Sequence, residues 1–274
     1  MERARLGIYA GFGFSVPFKE RLSLIREAGF GATAIWWEEK NPRIRALRHQ
    51  APDMIRRTGL FLDNIHVPYF ACRDLWSPHA DERADAVAMH RLWLDDCARH
   101  DIPRMVMHVS LGTSTPEPTS RGLDSFIRLV EHAAHAGISI AIENTREERY
   151  IDYLLNGIDC ETLTLCFDTS HDRLYAPEQG GLLARWRHRL SALHLSDTDG
   201  RRDQHWLPGE GVIDFAALQH HWDDGFDGVY MLECVPRDRN EDPRAFLARA
   251  YTSLAAAVPD ADRLPKKPVD PLVR

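Results

Sequence analysis

The sequence predicts an α/β fold, a single closed (β/α)₈ barrel. Eight short runs rich in Val, Ile, Leu and Phe recur along the chain, several of them are separated by stretches of helical period, and the 274 residues suit a barrel that needs roughly 250. In order, the runs are "LGIYA", "ATAIWW", "LFLDNIHV", "RMVMHV", "ISIAIE", "LTLCFD", "SALHL" and "GVYMLEC". Strands apolar on both faces and joined by amphipathic helices pair in parallel, because each connection must cross back over one face of the sheet.

The helical stretches follow from spacing. Ala86, Met89, Trp93 and Cys97 form one stripe after the third and before the fourth run. Leu123, Phe126, Ile127, Val130 and Ala134 form a second before the fifth, and Leu247, Ala250, Tyr251 and Leu254 a third after the eighth; each keeps apolar groups on one helical face. An open doubly wound sheet is the alternative, but it would place a Gly-rich phosphate loop after its first strand, and "YAGFGFSVP" lacks that order. The barrel is expected over residues 1–258. Residues 259–274 hold four prolines in sixteen positions and are expected to form an extended tail.

Composition narrows the class. With 44% hydrophobic and 27% charged residues the chain is an ordinary folded, water-soluble one. The net charge is −7 and no basic cluster exceeds Arg201-Arg202 or Lys266-Lys267, so nucleic acid is not the expected partner. No run of apolar residues is long enough for a membrane span, no leader-like segment follows "MERARLG", and Cys72, Cys97, Cys160, Cys166 and Cys234 show no C-x-x-C spacing. These features predict a cytoplasmic setting with reduced thiols, with Cys166 and Cys234 serving packing. The sequence says nothing of oligomeric state.

Metal-capable side chains fall at strand ends. His66 ends the third run, His108 the fourth, Glu143 the fifth and Asp168 the sixth, His194 lies in the seventh and Glu233 near the end of the eighth. In a parallel barrel those ends open onto one face, where barrel enzymes build their sites. His171 follows in "DTSH", and Asp203 and His205 in "SALHLSDTDGRRDQHWLPGEG". One such residue is usually a satisfied core histidine or a helix cap. Six consecutive strands each bringing one would bury several carboxylates together at a cost of several kcal/mol per unpaired charge, and a divalent cation neutralises them. Imidazole with carboxylate suits zinc, manganese or iron.

In this order, "HVPY" (residues 66–69), "IENT" (142–145), "FDTSH" (167–171), "LHLSD" (193–197), "DQHWLPGEG" (203–211) and "LEC" (232–234) resemble the xylose-isomerase-like barrels. That family includes the AP endonuclease 2 or endonuclease IV type and the sugar-phosphate isomerases and epimerases. The resemblance covers residues 6 to about 255 and implies a four-ligand site of Glu143, Asp168, His194 and Glu233, whose two glutamates also move protons at a sugar carbon in the epimerases. Similarity to endonuclease IV implies up to three zinc ions: His66, His108 and Glu143 around one, Glu143, Asp168, His194 and Glu233 around a second, and His171, Asp203 and His205 around a third. Two features depart from the family: Arg201 and Arg202 lie near the strand-seven histidine without the register of the substrate arginine of ketose epimerases, and there is little room for DNA-gripping loops.

Trp36, Tyr69, Arg73 and Arg201 are the expected substrate contacts, with Trp37 and Trp76 as further aromatics that serve equally well in the core. Glu210 stands either as an anchor of its loop or as an ordinary surface charge. The first functional expectation is hydrolysis of a small phosphorylated sugar or related phosphoester by metal-activated water, because single-metal enolisation leaves His66, His108, Asp203 and His205 without a task. The alternative is a sugar or sugar-phosphate isomerase or epimerase with Glu143 and Glu233 as acid and base. A DNA-repair endonuclease and a metal-binding barrel without catalysis stand behind these two.

Overall fold

The computed structural model describes residues 6–37, 39–222 and 226–258; the expected tail, 259–274, lies outside them. Eight parallel strands close a barrel in sequential order, β1 pairing with β8. They are β1 (Leu6–Tyr9), β2 (Ala32–Trp36), β3 (Phe61–His66), β4 (Arg104–His108), β5 (Ser139–Glu143), β6 (Leu163–Asp168), β7 (Leu190–Leu195) and β8 (Tyr230–Leu232). The helices are α1 (Phe18–Glu27), α2 (Pro42–Arg48), α3 (Ala51–Arg57), α4 (Ala80–Arg99), α5 (Ser120–Ala136), α6 (Arg149–Gly157), α7 (Thr169–Tyr175), α8 (Gly181–Trp186), α9 (Phe215–Trp222) and α10 (Pro243–Ala257), with a 3₁₀ segment at Tyr69–Trp76. All eight expected strands are present. The eighth is only three residues long, although the Glu233 N–H still donates to Leu195 O at 3.1 Å.

Strand alternation separates two cores. On β4 to β7, Met105, Met107, Ile140, Ile142, Leu163, Leu165, Phe167, Leu193 and Leu195 point outward into the main cluster shared with the helices. The intervening Val106, Ala141, Cys166 and Ala192 form a small buried layer of their own, inside the barrel as the period of two requires. The same parity sends His108, Glu143, Asp168 and His194 inward, one step nearer the C-terminal ends. Expecting both strand faces to be apolar was therefore too simple: at the opposite end of the barrel the buried Arg104 reaches Asp63 and the Ser191 carbonyl.

Caps set where the helices begin. Thr119 accepts from Gly122 N at α5, and Gly137 ends that helix in the left-handed region at φ 70°. Asp242 accepts from Arg244 N and Ala245 N at α10, with proline next to the cap. Trp37 and Trp76 are fully buried, donating to Asp96 Oδ2 and Val109 O; both belong to the core.

Candidate active site at the barrel mouth

Strand register brings the candidate ligands together. Trp36 is opposite His66, His108 opposite Glu143, and Asp168 opposite His194, so three strand pairings build one ring at the C-terminal ends. Glu143 is at its centre and almost wholly buried. Its Oε2 lies 2.9 Å from His66 Nε2 and 3.3 Å from His108 Nε2, while Oε1 lies 3.2 Å from His194 Nδ1 and 3.5 Å from His171 Nδ1. Glu233 Oε2 approaches the same His194 Nδ1 at 2.9 Å.

Three imidazoles share one local device. His66 Nδ1 faces Val67 O at 2.9 Å, His171 Nδ1 faces Asn144 O at 2.9 Å, and His205 Nδ1 faces Glu233 O at 2.8 Å. A carbonyl only accepts, so Nδ1 carries a proton and Nε2 is the nitrogen whose lone pair becomes available to a metal once the ring is neutral, the arrangement that orients metal-ligating histidines. The two Nε2 atoms of His171 and His205 both turn to Asp203 Oδ2, at 3.3 and 3.1 Å, and Ser170 Oγ donates to Asp203 Oδ1 at 2.6 Å.

The donor set fits a cation. Within 4.8 Å of one another, ligand atoms gather as His66/His108/Glu143, as Glu143/Cys166/His194 and as Glu143/Asp168/His194/Glu233. Asp168 Oδ1 caps α7 by accepting from His171 N at 2.7 Å, yet its Oδ2 is buried without a hydrogen-bond partner among the described residues. A buried carboxylate oxygen left bare costs on the order of 1–3 kcal/mol or more, which a cation at the four-residue group removes. The His171/Asp203/His205 set meets through Asp203 but is not among the groups that reach this mutual spacing.

The loop after β7 is held by a residue that sequence reasoning passed over. Asp197 is fully buried and accepts from four backbone N–H groups: Thr198 and Ile213 at Oδ1 (2.8 and 3.1 Å), Gly209 and Gly211 at Oδ2 (3.0 and 2.9 Å). Its backbone also pairs both ways with Trp206, which returns the chain so that Asp203 and His205 face the ring. His205 sits at φ 54°, in the left-handed region. Gly211 is dictated by the same packing, since a Cβ there would collide with Thr198 O and Asp197 Oδ1. Glu210 instead pairs with Arg249 at 2.6 Å.

Other contributors also went unread. Asn144 clamps Asp168 from both sides, accepting from its N–H at 2.7 Å and donating to its carbonyl at 3.0 Å. Tyr9, at the end of β1, is buried close enough to Glu233 and Glu143 that burial and their charges push its hydroxyl well above the usual range. Asn144 was visible in "IENT", but Tyr9 gave no signal in a strand whose neighbours are apolar. Among the expected substrate contacts, Trp36 stacks on His66 (5.3 Å between centroids), Tyr69 on His108 (5.5 Å), and the two aromatics meet at 5.7 Å. Tyr69 is 46% exposed, so this wall faces the opening. The Arg73 side chain lies beside Asp74 at 3.5 Å, and Arg201 is exposed in a turn where its N–H bonds Asp199; neither is joined to the ring.

Residues 22–252 match the family described as the xylose isomerase-like TIM barrel. The chain belongs to that family. The chain is 26% identical over 238 residues to the uncharacterized protein y4fM of Sinorhizobium fredii, covering 73% of this chain and 75% of that one. A shorter stretch of 76 residues is 34% identical to fructoselysine 3-epimerase of Shigella flexneri, about a quarter of each chain (27% and 27%). The solved structure of L-ribulose 3-epimerase superposes with a TM-score of 0.77 at 18% identity, over 95% of this chain and 96% of that one. Two of these three relatives are named as 3-epimerases.

Burial and mutual charge set the protonation of this xylose isomerase-like site. Burial raises the Glu143 carboxyl, but His194 and His108 outweigh it and hold the group well below the usual range. Glu233 is held at about 2 against burial by His194 and His205. Burial pushes Asp168 up to about 6, with Glu143, Asp203 and Glu233 adding to it. His171 and His194 are raised well above an ordinary imidazole despite burial, by Asp168 and Asp203 for the first and by Cys166 and Glu143 for the second; Asp203 and Glu233 lift His205 to about 10. The metal-free site therefore holds protonated imidazoles at neutral pH, and a cation has to displace those protons. Metal affinity should rise from pH 6 to 8, and calorimetry in buffers of different ionisation enthalpy should show proton release at pH 7. Affinity flat with pH and no buffer dependence would contradict the assignment.

Proposed function

We propose that the chain is a metal-dependent sugar or sugar-phosphate isomerase or epimerase in which Glu143 and Glu233 exchange protons with a sugar carbon. The observation that carries this reading is the group Glu143, Asp168, His194 and Glu233, where the two glutamates flank one ring nitrogen, His194 Nδ1, at 3.2 and 2.9 Å. Similarity to two 3-epimerases supports it.

A divalent ion, zinc, manganese or iron, held by those four residues would draw electrons from the substrate's carbonyl and hydroxyl oxygens and acidify the adjoining C–H. Glu143 and Glu233 are ionised at neutral pH, so either can start as the base. One carboxylate takes the carbon-bound proton and releases it to solvent, and the other, protonated from solvent, returns a proton from the opposite side; return to the neighbouring carbon gives isomerisation instead. Trp36 and Tyr69 offer an apolar wall for the sugar face and shield the reacting carbon from water. The substrate is a small molecule, phosphorylated or not, rather than duplex DNA, which a chain of net charge −7 attracts poorly. No helix of the described residues is long and apolar enough to cross a membrane.

A second reading, hydrolysis of a small phosphoester with further metals, rests on the His66/His108/Glu143 group and on the convergence of His171 and His205 on Asp203. Incubation of the metal-loaded protein with sugars and sugar phosphates in water labelled with deuterium and heavy oxygen separates the two. Deuterium should enter a sugar carbon with any phosphate retained, and the exchange should be lost in Glu233→Gln but kept in His205→Ala. Heavy oxygen in released phosphate, with no deuterium on carbon, would install the hydrolase instead.

A further inference from the structure

A cavity of about 520 Å³ opens where the loop after β5 meets α6, α7 and α8, with Arg146, Arg149, Tyr175, Glu178 and Arg185 among its walls and Tyr175 as its link to the ligand ring. Two of its three arginines are neutralised. Arg149 pairs with Glu117 and Glu147, and Arg185 Nη2 lies 2.8 Å from Glu148 and 3.2 Å from Asp152. Arg146 makes no ion pair among the described residues. Its guanidinium carbon sits 5.5 Å from the centroid of the Tyr175 ring, and that ring lies 6.2 Å from the ring of His171. Only one aromatic side chain separates this guanidinium from the candidate ligands.

An exposed arginine is ordinarily solvated and contributes little. Arg146 differs in place and in preparation. It follows Glu143, the last residue of β5, by three positions, and its guanidinium lies over the Tyr175 ring, with N–H groups that no carboxylate among the described residues occupies and that suit a bidentate oxyanion. The side-chain freedom that binding would otherwise remove is already restricted by that contact. The neighbouring arginines cannot serve equally, because an incoming anion would have to displace carboxylates already paired to them.

We propose that Arg146 is a specificity-determining residue that recognises an oxyanion, carboxylate or phosphate, on the end of the sugar remote from the reacting carbon. The inference rests on the isomerase or epimerase reading and adds the substrate class: sugars that carry a terminal acidic group.

Ribitol, ribonate and ribitol 5-phosphate carry no aldehyde or ketone for the isomerase or epimerase reaction, so their binding reports the subsite without that turnover. Calorimetry on the full chain with its metal bound should show at least one of the two anions binding about tenfold or more tightly than ribitol, the size expected of one charge-assisted contact. Which anion gains identifies carboxylate or phosphate as the source. Arg146→Met, which keeps an apolar stem on Tyr175, should bring that anion down to the affinity of ribitol, whereas Arg149→Met should keep the preference. Equal affinities in the unmodified protein, a preference that survives Arg146→Met, or one lost equally in Arg149→Met would overturn the proposal. Deuterium exchange into neutral sugars without any anion preference would remove the subsite and leave the isomerase reading; anion preference without exchange into any sugar would do the reverse.

Discussion

Replacing Glu143 by alanine should remove the ion of the Glu143, Asp168, His194 and Glu233 group, together with any ion held at His66 and His108, and lower turnover by about 10²–10⁴-fold, the range for loss of a positioned acid or base. The expectation follows from the division of its carboxylate: Oε2 serves His66 and His108, and Oε1 serves His194 and His171. With the side chain gone, each ligand group loses its shared anion, and the imidazoles that Glu143 helps keep charged face one another without it. His205→Ala should cost at most the ion of the Asp203 set, because His205 reaches the ring through Asp203 and the Glu233 carbonyl. Elemental analysis of both variants, with near-UV circular dichroism to establish folding, decides the matter. Equal metal loss from the two would refute the shared role of Glu143.

Asp197→Ala should destabilise the protein by about 2 kcal/mol or more, since four N–H groups lose their acceptor, two of them on the buried Thr198 and Ile213, where each unsatisfied donor costs about 1–3 kcal/mol before relaxation. Asp197→Asn should restore only part of this. Whichever way the amide sits, its NH₂ faces N–H groups that need an acceptor, those of Gly209 and Gly211 or those of Thr198 and Ile213. Urea unfolding of metal-free protein measures the loss, and the Ala variant should also weaken any ion at Asp203 and His205, which ride on the same loop. A change under about 1 kcal/mol, within the scatter of surface substitutions and weak contacts, would show that the loop is held elsewhere.

The structure also explains why the candidate ligands could be found without coordinates and their supports could not. His66, His108, Glu143 and Asp168 end their strands, and position along a parallel strand is a one-dimensional property that hydrophobic patterning reveals. Asn144, Ser170 and Asp197 act by contacts across 24, 33 and up to 16 residues. In sequence each is one more polar residue in a loop, of the kind turns favour anyway. Glu210, flanked by two glycines, drew attention as the anchor of its loop, whereas the acceptor those glycines close upon is Asp197.

By itself the sequence determined the barrel, the order of its strands and the inward, C-terminal placement of most of the ligand ring, because the strand period of two and the apolar spacing of helices are local and add along the chain. Only the tertiary structure decided which carboxylate is shared, which imidazole nitrogen is tethered to a carbonyl, which aromatics stack on the ligands and that Arg146, alone of the three arginines lining its cavity, has no ion pair among the described residues. Those properties depend on register between strands and on loops that return from distant points. They are fixed by distances of about 3 Å, where a charge or hydrogen bond has its strength, and no spacing along the chain encodes such distances.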